Sequence, residues 1–466
     1  MGSLLPREMC WAVAGLVGFG ALIRLILFVI YPPVIYPDTG TYMLLAQQIA
    51  SLDLRAYDGD RTPLYPLLMV LGGLNARGIY LIQALLGIAA SVLLFLTALE
   101  FKRSYGLAIL VGLVPTVLLN QLFMEANILS EHLTGVLAVA SLYVGVTMLT
   151  RGGGVGSTVV LGLLVAATAL ARPGYVALVP VYAVVALLQT QQARFARAGV
   201  YLGAVCLPIV GWMVVNAATV GQFGLSTRLG LGLMNHSGAF IEYANPRYVI
   251  IRDIYLRHRA AVVTSPEAQA HRGGEQYVTI FYALDELKAA TGLSQIELSK
   301  ELQKLSLDLF WRYPDLYAKS VFKAWLSYWS APNYWRPEAI RAPSLATAME
   351  ALWRVEQPLI RLANLALVLA VTLLILQVAV RAARRCVSAI VADRRLLALL
   401  LTGGSVFWFA IFQALFEYSE NGRYSIPTQQ IAVAFVMLYV SWLIDLRRLS
   451  GPKSLFPKVS RVCAKT

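Results

Sequence analysis

The 466-residue sequence has little charge: only 14% of its residues are Asp, Glu, Lys or Arg, whereas an ordinary soluble domain carries about 25%. Hydrophobic residues make up 58%, and this balance excludes an ordinary soluble protein. Acidic residues are the scarcer kind, 25 against 39 Lys and Arg, which leaves a formal net charge of +14. In a soluble chain this excess would indicate a polyanionic partner such as nucleic acid. In a membrane protein it must first be compared with the orientation of the spans, because Lys and Arg are retained on the cytoplasmic side.

Cysteine and histidine are also scarce, with four residues of each. The four cysteines are Cys10, Cys206, Cys386 and Cys463. All of them fall in predicted membrane spans or in segments predicted to be cytoplasmic, so we expect no disulfide in the part of the chain outside the cell membrane. The histidines are not spaced like zinc ligands.

Long apolar runs, by contrast, are abundant. A helix needs about 20 mostly apolar residues to cross the hydrocarbon core, and we expect about ten such helices, within a range of about nine to thirteen. The predicted spans lie near 9–31, 78–100, 105–122, 128–149, 157–172, 173–190, 198–217, 357–380, 396–416 and 425–445. The sequence therefore predicts an all-α polytopic membrane protein.

Charge on alternate connections predicts the orientation of these spans. One set of connections, which includes both termini, holds 17 basic and four acidic residues, while the opposite short loops hold five basic and eight acidic residues. Because Lys and Arg are retained on the cytoplasmic side, we expect both termini to be cytoplasmic in a multi-pass protein of the cell (inner) membrane. The net positive charge is then mostly an orientation signal, and no nucleic-acid partner is expected.

Two long segments lie on the extracytoplasmic side in this topology. The first is a loop at about 31–77, and the second, at 218–356, is long and polar enough to form a mainly helical domain, called the outer domain below. Within it, Ser294 and Glu297 have the spacing of a capping box, which predicts a helix running towards Phe310. The remaining parts are an N-terminal transmembrane module at 1–217, C-terminal transmembrane helices at 357–446 and a basic cytoplasmic tail at 447–466.

The first outer loop contains a carboxylate with two interpretations. Asp38 and Thr39 precede a run with helical spacing, so either could simply cap a helix. Alternatively, Asp38 faces a reactive centre as a base or a metal ligand, since a helix N-terminus favours the ionised carboxylate. The helix itself would lie along the membrane with Tyr42 on its apolar face.

The same loop continues as Asp58-Gly59-Asp60-Arg61-Thr62-Pro63-Leu64-Tyr65-Pro66. Arg61 could bind a phosphate at the membrane surface, or it could be a snorkelling residue in a surface turn. We expect Asp58 and Asp60 to be solvated, although Asp-Gly-Asp could also bind a divalent metal ion. The identity of any metal stays unknown at this stage.

Three further polar clusters lie on the same predicted side. They contain Glu125, Glu131 and His132; Arg172 with Pro173; and Glu420, Arg423 and Tyr424. A sugar carried on a lipid phosphate needs cationic groups to stabilise the departing phosphate. Because phosphate is a good leaving group, the remaining need is one base for an acceptor hydroxyl. Three arginines and one carboxylate would suffice for that chemistry.

These motifs resemble the GT-C superfamily of membrane glycosyltransferases, particularly the family 39-like branch that contains protein O-mannosyltransferases and the bacterial aminoarabinose transferase. The matching pieces are the Asp38 loop with Arg61-Thr62-Pro63-Leu64-Tyr65-Pro66, Arg172-Pro173, Asn235-His236-Ser237-Gly238 and Glu420-Asn421-Gly422-Arg423-Tyr424. One departure is the pair Asp38-Thr39, where many relatives have Asp-Glu.

The resemblance implies a GT-C-like bundle that transfers a sugar from a polyprenyl-phosphate donor to a glycan, lipid or protein acceptor. It implies Asp38 as the base or acceptor-orienting residue, with Glu125 or Glu131 as a second acid. Arg172 and Arg423 would contact the donor phosphate, together with Arg61. We also predict substrate contacts from Tyr42, Tyr65, His132, His236, Glu420 and Tyr424.

Two other functions stay open on the sequence alone. A transporter or flippase of lipid-linked sugars should carry polar residues near mid-membrane and repeated halves, whereas here Arg24 is the main deeply placed charge and no repeated halves are evident. A noncatalytic lipid-binding scaffold would use the same arginines. The sugar and the acceptor are left undetermined.

Overall fold

The structure, a computed structural model, describes residues 7–189, 193–264 and 274–450. Backbone amides in an apolar environment must find partners within their own segment, and 83% of the structure is accordingly helical. Within these ranges β pairing is limited to one isolated parallel bridge between Val34 and Asn127. The prediction of an all-α polytopic fold is confirmed, while residues 451–466 of the predicted basic tail lie outside the described residues.

The helices follow one another along the chain with short connections. They are α1 (Arg7–Ile30), α2 (Pro37–Ala50), α3 (Leu64–Leu71), α4 (Ala76–Phe101), α5 (Tyr105–Val117), α6 (Leu119–Met124), α7 (Glu131–Arg151), α8 (Val155–Ala171), α9 (Leu178–Leu187), α10 (Arg194–Val220), α11 (Leu229–Ser237), α12 (Val249–Thr264), α13 (Gly274–Thr291), α14 (Gln295–Arg312), α15 (Pro314–Tyr328), α16 (Pro343–Ala383), α17 (Val387–Ala392), α18 (Arg394–Phe416), α19 (Asn421–Tyr424) and α20 (Ile426–Ser450).

Seven of these helices are long and apolar enough to cross a membrane: α1, α4, α7, α10, α16, α18 and α20. Three shorter apolar helical segments are α5, α8 and Pro173–Leu187, which begins as a 3₁₀ turn and continues as α9. Each of the ten predicted spans coincides with one of these segments. The third span is shorter than predicted because the helix stops at Val117 and the backbone is extended at Leu118, before α6 begins.

α16 is the longest helix, with 41 residues. At 1.5 Å per residue it extends about 60 Å, about twice the thickness of the hydrocarbon core. It begins at Pro343, so it runs across the boundary predicted between the outer domain and the C-terminal transmembrane helices. Leu362, Leu365, Leu369 and Leu373 recur on one side of α16 and are each more than half exposed, which gives the helix an apolar face suited to lipid.

The spanning helices pack around one buried core. α7 is central because it contacts α4, α8, α18 and α20. Small residues allow close approach between helices: a side chain at Gly162 would meet the backbone oxygen of Tyr201, and one at Gly403 would meet the ring of Phe435. At each of these positions glycine therefore allows two helices to pack closely against each other.

The outer domain has a core of its own, separate from that of the bundle. Leu231 and Met234 of α11 pack with Leu298, Leu302 and Leu305 of α14. The predicted capping box is confirmed: Ser294 Oγ accepts from the Glu297 backbone N–H, and Glu297 Oε2 accepts from the Ser294 N–H at 2.9 Å. The helix α14 then passes Phe310 as predicted and ends at Arg312.

Two loops that are distant in sequence pair with each other beside the start of α2. The Val34 N–H donates to the Ala126 carbonyl at 2.9 Å, and the Ile128 N–H donates to the Val34 carbonyl at 3.0 Å. The Thr39 hydroxyl donates to the Ile128 carbonyl at 2.9 Å. These bonds place the N-terminus of α2 beside the N-terminus of α7, and the candidate site lies at this junction.

Candidate active site

Asp38 lies in the first turn of α2 but does not cap it. The N-cap position is Tyr36, whose backbone N–H donates to Thr39 Oγ1 at 3.0 Å. The side chain of Asp38 instead accepts from two arginines that are far away in sequence. Its Oδ1 accepts from Arg61 Nη2 at 2.7 Å, and its Oδ2 accepts from Arg423 Nη2 at 2.9 Å. The capping interpretation of Asp38 is therefore wrong.

Glu131, the first residue of α7, binds two arginines through a single oxygen. Its Oε1 accepts from Arg423 Nε at 2.5 Å and from Arg172 Nη1 at 2.6 Å. The side chain is completely buried, where a charge is tolerated only if it is paired. Arg61, Asp38, Arg423, Glu131 and Arg172 thus form an alternating series of charges, called the ionic chain below.

Three tyrosine rings hold the guanidinium groups of the ionic chain. Arg61 lies over Tyr42 at 4.4 Å, Arg172 over Tyr424 at 4.2 Å and Arg423 over Tyr334 at 5.2 Å from the ring centre. Cation–π contacts of this kind favour one orientation of the planar group. Tyr65 supports the first pair, because its ring meets Tyr42 edge-on at 5.1 Å.

The loop before α20 completes the site. Glu420 Oε2 lies 3.4 Å from Arg423 Nη1 and accepts from the Tyr334 hydroxyl at 3.1 Å. Tyr424 donates to Glu417 Oε1 at 2.9 Å. Glu417 and Tyr334 were not predicted as site residues, since each belongs to a polar or aromatic run that looks like ordinary membrane-interface sequence.

Within the ionic chain, exposure is lowest at Glu131 and highest at Asp38. Glu131 is completely buried and Arg423 is 7% exposed, whereas the side chain of Asp38 is 25% exposed. Burial alone would raise the pKa of Asp38, but the guanidinium groups of Arg423, Arg61 and Arg228 outweigh it and hold that pKa well below the usual range. Asp38 is therefore ionised at neutral pH, and it is the more exposed of the two carboxylates in the ionic chain.

Glu125 is placed apart from this arrangement. It forms a bidentate pair with Arg24 of α1, with Arg24 Nη2 at 2.6 Å from Oε1 and Nε at 2.9 Å from Oε2. Arg24 also donates to Thr116 at 3.1 Å, and both members of the pair are almost completely buried. Of the two carboxylates considered as a second acid, Glu131 is linked to Asp38 through Arg423. Glu125 lies in the core of the bundle instead.

The two predicted histidines are also outside the ionic chain. His132 follows Glu131 in α7 and is buried, but one residue along a helix turns the side chain by about 100°, and its Nε2 has no hydrogen-bond partner among the described residues. His236 in α11 has its Nδ1 2.8 Å from Ser320 Oγ. Burial lowers the pKa of His236 to about 4, so it is neutral at pH 7 and packs inside the outer domain.

Asp60 differs most from its prediction. It was expected to be solvated, yet its side chain is only 3% exposed and pairs with both Arg228 and Arg61. Arg228 comes from the start of the outer domain and was not predicted as a site residue. No local sequence pattern predicts the contact between Asp60 and Arg228, because the two residues are 168 positions apart in the chain.

Metal ligation was left open by the sequence. Across the described ranges, no group of three or more His, Cys, Asp and Glu side chains has the arrangement of a metal site. Asp60, one carboxylate of the Asp-Gly-Asp motif considered for a divalent ion, is paired with Arg61 and Arg228. The carboxylates of the ionic chain likewise have arginine partners.

One cavity lies away from the ionic chain, and a second, smaller one lies beside Arg61. A cavity of about 300 Å³ in the outer domain is lined by residues that include Arg247, Tyr248, Glu301 and Lys304, and it contains no residue of the ionic chain. A much smaller hollow of about 10 Å³ lies against Arg61, Thr41 and Gln48. The chemistry of the ionic chain, rather than cavity size, identifies the candidate site.

No family model and no curated protein matches this chain. Two solved structures are similar to it, and both are of ArnT from Cupriavidus metallidurans, an aminoarabinose transferase. The apo structure is 14% identical, with a TM-score of 0.37 and alignment over 96% of this chain and 80% of that one. The structure bound to undecaprenyl phosphate is 13% identical, with a TM-score of 0.38 and coverages of 96% and 81%. These likenesses concern the chain as a whole and assign no residue a role.

Proposed function

We propose that this protein is a membrane glycosyltransferase that moves a sugar from a polyprenyl-phosphate donor to an acceptor hydroxyl at the extracytoplasmic face. The observation that carries the proposal is the position of Asp38. Its partly exposed carboxylate lies between the guanidinium groups of Arg61 and Arg423, at 2.7 and 2.9 Å. One reachable base beside several phosphate-binding cations is what this reaction requires.

The proposed reaction assigns each part of the ionic chain a task. The acceptor oxygen forms a bond to the anomeric carbon, the bond from that carbon to the phosphate oxygen breaks, and the electron pair leaves with the phosphate. Asp38 takes the proton of the acceptor hydroxyl. Arg61, Arg172 and Arg423 stabilise the negative charge that grows on the phosphate. Glu131 touches no substrate in this scheme and acts by holding Arg172 and Arg423 in place.

The surroundings of the ionic chain suit an amphiphilic donor. Tyr42 and Tyr424 provide rings beside the arginines, and Tyr65 packs against Tyr42. Glu420 adds a hydrogen-bond acceptor near Arg423, and we assign these four residues to substrate binding. α2 and α3 carry exposed apolar residues nearby, including Leu44, Leu67 and Leu71. Such residues fit a polyprenyl tail that remains in the lipid while its phosphate reaches the arginines.

The function is tested with the purified full chain in detergent. Labelled undecaprenyl-phosphate-linked hexoses and pentoses are incubated with membrane extracts as acceptors, and binding of undecaprenyl phosphate is measured separately. We expect D38N to lower transfer by roughly 100-fold or more while it still binds the lipid. R55Q is the control, because Arg55 is an exposed arginine of the same loop and its ion-pair partner among the described residues is Asp53.

Three results would contradict parts of this proposal. If D38N transferred sugar at the wild-type rate, Asp38 would not be the base. Lipid binding by the wild type without transfer to any acceptor would favour the scaffold, and movement of the lipid-linked sugar across reconstituted vesicles would favour the transporter or flippase.

A further inference from the structure

Asp60 is a buried carboxylate that joins two arginines from different parts of the fold. Arg228 Nε donates to its Oδ1, and Arg61 Nε lies 3.3 Å from its Oδ2. Arg61 Nε donates to Thr41 Oγ1 at 2.8 Å, so Asp60 holds Arg228 by a hydrogen bond and Arg61 by the attraction of opposite charges. Arg61 also binds Asp38, so one guanidinium group links Asp60 to the proposed base.

The backbone around Asp60 is docked on the first residues of the outer domain. The Thr227 N–H donates to the Gly59 carbonyl at 2.9 Å, and Ser226 Oγ donates to the Asp60 carbonyl at 3.0 Å. Gly59 has φ = +76°, and a side chain there would come within 2.4 Å of the Thr227 methyl group. The turn thus requires glycine for both its conformation and its close contact.

The same connection continues into the core of the outer domain. Ser299 Oγ of α14 donates to the Thr227 carbonyl at 2.6 Å and accepts from the Gly230 N–H at 3.2 Å. Gly230 is needed there because a side chain would overlap the Ser299 backbone oxygen. Arg228 is therefore attached to a rigid helix pair, and its 32% exposure leaves it accessible to a ligand at the site.

We propose that Asp60 is a positioning residue that holds Arg61 and Arg228 side by side, so that the outer domain supplies a fourth arginine to the donor-phosphate site. The inference rests on the proposed function, since it concerns the same phosphate. Arg228 donates to Asp60 through Nε. Within the described ranges no hydrogen bond involves its two terminal nitrogens, so they can donate to a phosphate oxygen. Arginine suits this double role because its donors form a rigid planar fork.

The first test measures binding of undecaprenyl phosphate to the full chain. We expect D60N to weaken binding about tenfold, the size of one charge-assisted hydrogen bond, with R228Q similar and R228K intermediate, because lysine keeps the charge and loses the fork. D53N is the matched control: Asp53 belongs to the same loop but pairs with the exposed Arg55, so its binding should equal that of the wild type.

The second test separates positioning from general damage to the fold. If Asp60 acts through Arg61 and Arg228, D60N should add nothing to the loss already seen in an R61Q/R228Q variant. A residue that merely supports the loop would weaken binding further in that background. Thermal unfolding of each variant identifies any that do not fold, and R228K gives a second, milder perturbation of the same contact.

The outcomes distinguish the inference from the function on which it rests. Wild-type protein that shows no saturable lipid binding would overturn both. Wild-type binding that weakens in R61Q but is unchanged or tighter in D60N would overturn the positioning role alone. Additive losses in the combined variant would do the same.

Discussion

At the scale of single residues, the ionic chain shows how one carboxylate can serve two purposes. Asp38 binds Arg61 and Arg423 in the structure, and a donor phosphate would need the same guanidinium groups. A phosphate that shares these donors must approach a carboxylate that is already ionised. In the proposed reaction, Asp38 and the phosphate therefore compete for the arginines before Asp38 acts as the base.

This competition predicts that D38N binds undecaprenyl phosphate about tenfold more tightly than the wild type, because one negative charge is removed from beside the anion. The change should have the opposite sign to that of D60N. Equilibrium binding in detergent at low and high salt measures it, and the difference between D38N and wild type should shrink as salt increases. Equal or weaker binding by D38N would show that the carboxylate does not compete.

At the scale of helices, the buried pair Arg24–Glu125 depends on the shape of α4. Gly87 of α4 faces it so closely that a side chain there would come within 2.0 Å of Glu125 Oε1 and 2.6 Å of Arg24 Nη2. Gln83, one turn earlier, donates to the Glu125 carbonyl at 2.8 Å. The absence of a side chain at Gly87 thus leaves room beside α4 for the ion pair between Arg24 of α1 and Glu125, which precedes α7.

We expect G87A to destabilise the fold by about 1–3 kcal/mol, because an added methyl group must displace a buried ion pair. G18A is the matched control, since Gly18 lies in spanning helix α1 with no atom within 4 Å of an added side chain. Denaturant unfolding of both variants in detergent measures the difference. A G87A protein as stable as G18A would show that the pair can move without cost.

At the scale of the whole molecule, the proposed orientation places the ionic chain and the outer domain on the extracytoplasmic side. The spans α7 and α20 begin at this end, with Glu131 and the Arg423 loop at their starts, while the basic connections lie at the opposite ends. The positive-inside bias is distributed over many connections, so no single loop carries the assignment.

The orientation predicts where introduced cysteines react. In a variant without Cys10, Cys206, Cys386 and Cys463, D285C in the outer domain should be labelled by a membrane-impermeant maleimide in intact cells. R151C should be labelled only after the membrane is opened; both positions are exposed in the structure. The reverse pattern would place the ionic chain in the cytoplasm and contradict the extracytoplasmic site.

The sequence by itself determined the helical segments, because apolar length and capping residues act within one stretch of chain. The seven long apolar helices, the three shorter apolar segments and the Ser294 cap follow from such local physics. Asp38, Arg61, Arg172 and Arg423 could be selected as well, because charged groups at membrane-helix ends are few.

Only the tertiary structure decided which of these residues meet. Glu125 and Glu131 are six residues apart and equally polar, yet one pairs with Arg24 in the bundle and the other with Arg172 and Arg423. Asp60 looked solvated because its partner Arg228 lies in another domain. Ion pairing depends on distances of a few ångströms between side chains, and those distances are set by helix packing that no local pattern records.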